Sequence, residues 1–90
     1  MGRSQRPRPR RLGKKLREIR KRLEMSQAKM CEELGFPAIH PAHIAAYELD
    51  KREPPLPVIL KYARLAKVST DVLIDDELNL PVVRGKTRKS

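Results

Sequence analysis

Ninety residues make one domain at most, with a modest core and little room for a large active-site cavity. Hydrophobic residues at 39% suffice for packing, but with 3% aromatics the core must be built from Leu, Ile, Val, Ala and Met, which favours a helical bundle over a sheet sandwich. A net charge of +10 points to a polyanionic partner, nucleic acid before anionic membrane, and every apolar run is too short to span a bilayer.

The charge is unevenly spread. Residues 1–23 hold eleven Lys/Arg against Glu18 alone, residues 84–90 hold four and no acid, and residues 24–83 hold six against ten acids. Partner-binding charge is therefore expected on an N-terminal arm, a first helix and a tail. Cys31 is the single cysteine, so no intrachain disulfide can form, and the N-terminus carries no signal-like apolar run; a reducing, cytoplasmic setting fits.

In chain order, residues 1–11 (MGRSQRPRPRR) are arginine-rich, proline-stiffened and free of acids, and should be disordered when free. Arg6, Arg8, Arg10 and Arg11 suit an arm that tracks phosphates or enters a minor groove, although a merely solubilising tail has the same composition. Leu12, Leu16, Ile19 and Leu23 recur at helical spacing and predict a first helix over 12–24. Arg17 falls on another face, and Arg20 lies beside the stripe, long enough to reach a carboxylate elsewhere in the core.

Ser26 caps a second helix with Met30, Cys31 and Leu34 inward, and Gly35 can take the left-handed conformation that ends it. Gln27 is expected exposed in its first turn, where phosphate oxygens bind well. After a turn at 36–39, His40 should bound a third helix with Pro41 at its first position, running to about Leu49. Ile44 and Tyr47 face inward; Ala42, His43, Ala45 and Ala46 lie on or near the exposed side. A loop (DKREPPLP) follows. Pro57 opens a fourth helix through about Lys67, with Ile59, Leu60, Tyr62, Ala63 and Ala66 buried. Ser69 caps a fifth from Thr70 to about Glu77, packing Val72, Leu73 and Leu78 inward. Residues 78–83 are either a strap over the core or an arm onto a second copy.

Taken together, Leu16-Arg17 with Arg20, Ser26-Gln27, Leu34-Gly35, Ile44-Ala45-Ala46-Tyr47-Glu48 and Lys51-Arg52-Glu53-Pro54 resemble the repressor and Cro-type helix-turn-helix family, also called the xenobiotic-response-element type. The later Leu60-Lys61-Tyr62-Ala63 and Val68 to Leu73 look like its fourth and fifth helices. The resemblance implies an all-α, five-helix, lambda-repressor-like DNA-binding domain over residues 12–78, between a basic arm (1–11) and an apolar-then-basic tail (79–90). Its third helix would enter the major groove of double-stranded DNA, usually as a homodimer on a pseudo-palindrome. Arg20 and Glu48 match the family's ion pair between the first and third helices; Gln27, Lys51 and Arg52 match its backbone-contact positions, to which Arg17 is added as a candidate.

Two features depart from the family. The turn before the third helix is longer, and that helix begins Pro41-Ala42-His43 where relatives often carry Gln, Ser, Asn or Arg. Bidentate readout of adenine or guanine is thus not available on it. His40 and His43 could each make one base contact, and Ala42 or Ala46 could touch a thymine methyl, so weak direct readout is expected, with affinity carried by phosphates and the arm.

Cys31, His40 and His43 supply three potential metal ligands without a fourth, short of the closed set of structural zinc; no metal and no cofactor are expected. No phosphate-binding glycine loop, activated nucleophile or metalloprotease spacing occurs, and Asp75-Asp76-Glu77 reads as a solvated helix end, so neither catalysis nor a small-molecule substrate is expected. The reading is a transcriptional regulator, a repressor or antirepressor acting by occlusion, associated with the nucleoid. Alternatives are a protein adaptor using the alanine-rich third helix, or a basic RNA-associated protein that would lack an aromatic stacking platform.

Overall fold

Helix ends set the architecture of residues 9–81, the part of the chain that the computed structural model describes. Five helices follow in order, α1 (Leu12–Arg22), α2 (Gln27–Leu34), α3 (Pro41–Glu48), α4 (Leu56–Ala66) and α5 (Thr70–Ile74), and the described residues contain no strand. Three of the helices close alike. Glu24, Asp50 and Lys67 take positive φ values of 58°, 61° and 60°, turning the chain after α1, α3 and α4. The next N–H then reaches back to a helix carbonyl: Met25 to Arg20 at 3.1 Å, Lys51 to Ala46 at 2.9 Å and Val68 to Ala63 at 2.9 Å. Carbonyls that a helix end leaves unpaired are thereby satisfied. Gly35, at φ 74°, ends α2 where a side chain would be strained.

Helix starts are equally local. Ser26 Oγ accepts the Lys29 N–H at 3.0 Å, and α3 and α4 each carry proline in the first turn, where its missing N–H goes unused. Apolar positions three and four apart then build the core: Leu12, Leu16 and Ile19 of α1, Met30 and Leu34 of α2, Ile44 and Tyr47 of α3, Val58, Ile59, Tyr62 and Ala63 of α4, and Leu73 of α5. Fully burying each larger aliphatic chain contributes about 1.5–3 kcal/mol, so even a core this small can offset the ordering of the chain. α3 packs on both α1 and α2.

Several expectations need correction. α1 stops at Arg22 because the chain turns left-handed at Glu24. α4 begins one residue before Pro57. Leu60 is 41% exposed while Val58 is 2% exposed, since the buried stripe follows 58, 59, 62 and 63 and Leu60 falls off it. α5 ends at Ile74, with Asp75 already extended, so Leu78 lies beyond any helix and is 40% exposed.

What terminates α5 also ties the two ends of the fold together. Lys15, itself buried, donates from Nζ to the carbonyls of Val72 at 2.7 Å and Asp75 at 2.9 Å. Burial, then the Arg11 charge, pushes its ammonium below its ordinary value. The Asp76 carboxylate accepts backbone N–H groups of Arg10 and Arg11 at 2.9 and 3.0 Å. Arg11 turns its guanidinium onto the carbonyls of Asp76 and Leu78 and the Asn79 side chain, and Arg22 donates to the Pro81 carbonyl at 2.6 Å. With Leu80 against the core, residues 75–81 form a strap along α1; Val82 and Val83 lie outside the described residues.

Candidate nucleic-acid interface

The position of α3 is fixed from two sides. Towards the core, Ile44 and Tyr47 are buried, and burial pushes the Tyr47 phenol up while the nearby Arg52 charge acts against it. Towards α1, a hydrogen-only residue permits the close approach: a Cβ on Gly13 would sit 2.7 Å from Asp50 Oδ1 and 2.8 Å from the carbonyl oxygens of Glu48 and Tyr47. Two of those three atoms are backbone, so no rotamer change could relieve the clash.

An ion pair completes the anchoring. Arg20 Nε donates to Glu48 Oε2 at 2.6 Å and Nη2 donates to Oε1 at 3.1 Å, while Nη1 donates to the Met25 carbonyl at 2.9 Å. Gln27 Nε2 donates to the same Oε1 at 3.2 Å. One carboxylate of α3 thus gathers donors from α1 and α2, a two-pronged geometry that specifies direction as well as distance. The bond to Glu48 raises the Arg20 guanidinium further above its ordinary value. Gln27 is half-buried rather than exposed, because its amide nitrogen serves this network.

Outside the network, Lys14, Arg17, Gln27, Ala45 and Leu49 border a groove of about 300 Å³ whose floor includes Arg20 and Glu48. Helices α1, α2 and α3 therefore bring Arg17 and Gln27 together beside α3. Lys51 and Arg52 are exposed in the loop that follows it. Of the arm arginines, Arg10 is exposed, Arg11 is engaged by the strap, and Arg6 and Arg8 lie outside the described residues.

The outer face of α3 is sparse. His40 and Ala42 are exposed, and His43, Ala45 and Ala46 are half-buried. The His40 backbone N–H donates to Nδ1 of His43 at 2.9 Å. The His43 ring lies between those of His40 and Tyr47, with centroids 5.5 and 6.4 Å away and planes inclined by 24° and 25°, an offset arrangement that aromatic quadrupoles favour. Cys31, half-buried, donates its thiol to the Ile39 carbonyl at 3.0 Å, pinning the long turn before α3.

Sequence reasoning missed Gly13, Lys15 and Asp76. A glycine inside a helical pattern is a readable sign of close approach. Nothing local marks Lys15 or Asp76, whose partners lie at the far end of the chain.

A helix-turn-helix family model matches residues 16–73, from the middle of α1 to the core residue of α5. Among solved structures, the chain is similar to the P22 c2 repressor protein, crystallised in complex with synthetic operator 9T in the presence of Tl+. The two share 25% identity with a TM-score of 0.63, over 72% of this chain and 94% of the repressor chain. A comparison with curated proteins found no match. Five helices with this order and packing, and a family match over more than half the chain, identify it as a member of the repressor and Cro-type helix-turn-helix family.

Proposed function

We propose that this chain, a DNA-binding regulator by family, is a repressor that seats the N-terminal half of α3 in the major groove and blocks transcription by occupying its site. The observation that carries this reading is the anchoring of α3: Arg20, Gln27 and Glu48 converge on it and leave His40 and Ala42 exposed, as the N-terminal residues of a recognition helix must be. Arg17, Gln27, Lys51 and Arg52 supply phosphate contacts around it. The basic ends of the chain, residues 1–11 and 79–90, add charge. With alanines at 42, 45 and 46, direct readout is thin and affinity rests on the backbone.

Homodimerisation on a pseudo-palindrome belongs to the same proposal. Leu56, Leu60 and Ile74 are 74%, 41% and 39% exposed and border one shallow apolar groove between α4 and α5, an uncovered apolar face that a two-fold contact would bury. Ile74→Asp should then weaken cooperative binding to a full site while leaving the fold intact.

Selection from a randomised duplex library at moderate salt tests the whole reading. An enriched pseudo-palindrome is expected, with log affinity falling against log salt by roughly 0.9 per neutralised phosphate and a shallower slope for Arg6→Ala with Arg8→Ala. No enrichment and a flat salt response would replace the reading with a protein adaptor; preference for structured RNA over duplex DNA would point to an RNA-associated protein.

A further inference from the structure

On α3 (PAHIAAYE) the polar side chains are His43, Tyr47 and Glu48. Tyr47 and Glu48 are buried, the latter in its ion pair, so among α3 residues His43 alone has a polar side chain left to offer DNA.

Its hydrogen-bonding polarity is already set. A backbone N–H is always a donor, so the ring atom 2.9 Å from the His40 nitrogen must be an acceptor, and Nδ1 must carry its lone pair. In a neutral imidazole the proton then sits on Nε2. Turning the ring over would put a C–H against that N–H and leave it without an acceptor. The His40 and Tyr47 rings on either side hold the ring plane as well. Helical side chains lean towards the N-terminus, the end of a recognition helix that meets base edges.

We propose that the cap makes His43 a donor-only reader, which excludes cytosine at one position of each half-site. This inference rests on the DNA-reading function above. In the major groove, guanine offers N7 and O6 as acceptors, adenine N7 and thymine O4, whereas cytosine presents only its N4 donor. An Nε2–H therefore finds a partner on three bases and an opposed donor on the fourth, with guanine best served. Because ring and tautomer are fixed before DNA arrives, no reorganisation accompanies the contact.

Two measurements on the full chain decide it. Long-range proton–nitrogen correlation spectra of labelled protein at about pH 8 should show His43 protonated at Nε2 and bare at Nδ1; the opposite tautomer, or fast exchange between the two, overturns the proposal. Library selection should show cytosine depleted about tenfold at one position per half-site for the wild type. His43→Gln should retain the depletion, because its amide oxygen can take the His40 N–H and turn its NH2 outward. His43→Glu, with an acceptor outward, should prefer cytosine there, and His43→Ala should be indifferent. Thermal melts confirm that each variant folds. One motif common to all four proteins overturns the inference while the regulator reading stands; no enrichment by any of them overturns both, even with the tautomer as expected.

Discussion

Cutting Arg20 back to alanine would strand Glu48, whose side chain is 4% exposed, against 14% for Arg20. The carboxylate would keep only the Gln27 amide at 3.2 Å, while its two guanidinium bonds disappear. Removing one member of a buried pair typically costs about 3–5 kcal/mol, a large share of the roughly 5–15 kcal/mol that holds a small domain together. The Met25 carbonyl loses a donor too, but it lies at a turn where water can replace it. Replacing both partners by apolar residues, as in Arg20→Met with Glu48→Leu, removes the stranded charge and should recover most of the loss or exceed the wild type. Urea denaturation followed by helical circular dichroism measures all three proteins. The midpoint should fall sharply for Arg20→Ala, at similar slope, and return for the double variant. The double variant should still bind DNA less well, since the two-pronged bond that directs α3 from α1 is gone. A loss below about 1 kcal/mol for Arg20→Ala would mean a solvated surface pair and refute the reasoning.

Gly13→Ala gains about 1 kcal/mol of helix propensity but places a methyl group 2.7–2.8 Å from three oxygens; overpacking of about 1–3 kcal/mol should win, visible as a lower melting temperature and a larger proportional loss of DNA affinity. Asp76, held below its ordinary value of 3.8 chiefly by the backbone N–H groups of Arg10 and Arg11, contributes stability that is present above pH 3.8 and lost as pH falls through its lowered folded value. Asp76→Asn should therefore be less stable at neutral pH and show a flatter acid limb in pH-dependent melts; an unchanged limb would exclude the clasp. The buried Tyr62 hydroxyl has no hydrogen-bond partner among the described residues, and burial pushes that phenol well above its ordinary value. Tyr62→Phe should accordingly be neutral or up to about 1 kcal/mol more stable in urea, and a loss above that range would reveal a bond to this hydroxyl.

Which parts of this fold could be read from the chain follows from how far apart the causes lie. Ser26, Gly35 and Pro41 act within one turn of themselves, and the elements they bound were legible. The stripes Leu12-Leu16-Ile19 and Ile59-Tyr62-Ala63 repeat a period that no distant contact alters. Leu60 was misassigned because α4 is apolar almost all round, and periodicity cannot say which of its sides the other helices cover. The end of α5 comes earlier than its pattern suggests because Asp75 turns its own side chain onto the Glu77 N–H, and Lys15 Nζ, 57 residues away in sequence, takes the Val72 carbonyl. The left-handed turns at Glu24 and Lys67 carry no residue that favours that conformation and leave no local mark, whereas Asp50 is of a type that visits it.

The outer face of α3 shows the same division at the scale of single atoms. Histidines at 40 and 43 were identifiable as candidate contacts from their place at the start of a helix, but a sequence does not say which ring nitrogen is free. That follows only once the helix start is built, when the His40 N–H and Nδ1 of His43 come within 2.9 Å and the two neighbouring rings close around the third. Gln27 shows the converse. Its position beside a helix start marks it for phosphate, yet one N–H of its amide goes to Glu48, so its backbone N–H and the second amide N–H are the donors left over. The backbone N–H survives any substitution, whereas the amide N–H sits where the bond to Glu48 holds it. Gln27→Ala removes no cation and should leave the salt slope unchanged, weakening DNA binding in step with the stability lost from the Glu48 network, and a loss of affinity at unchanged stability in urea would show that the side chain itself makes the contact.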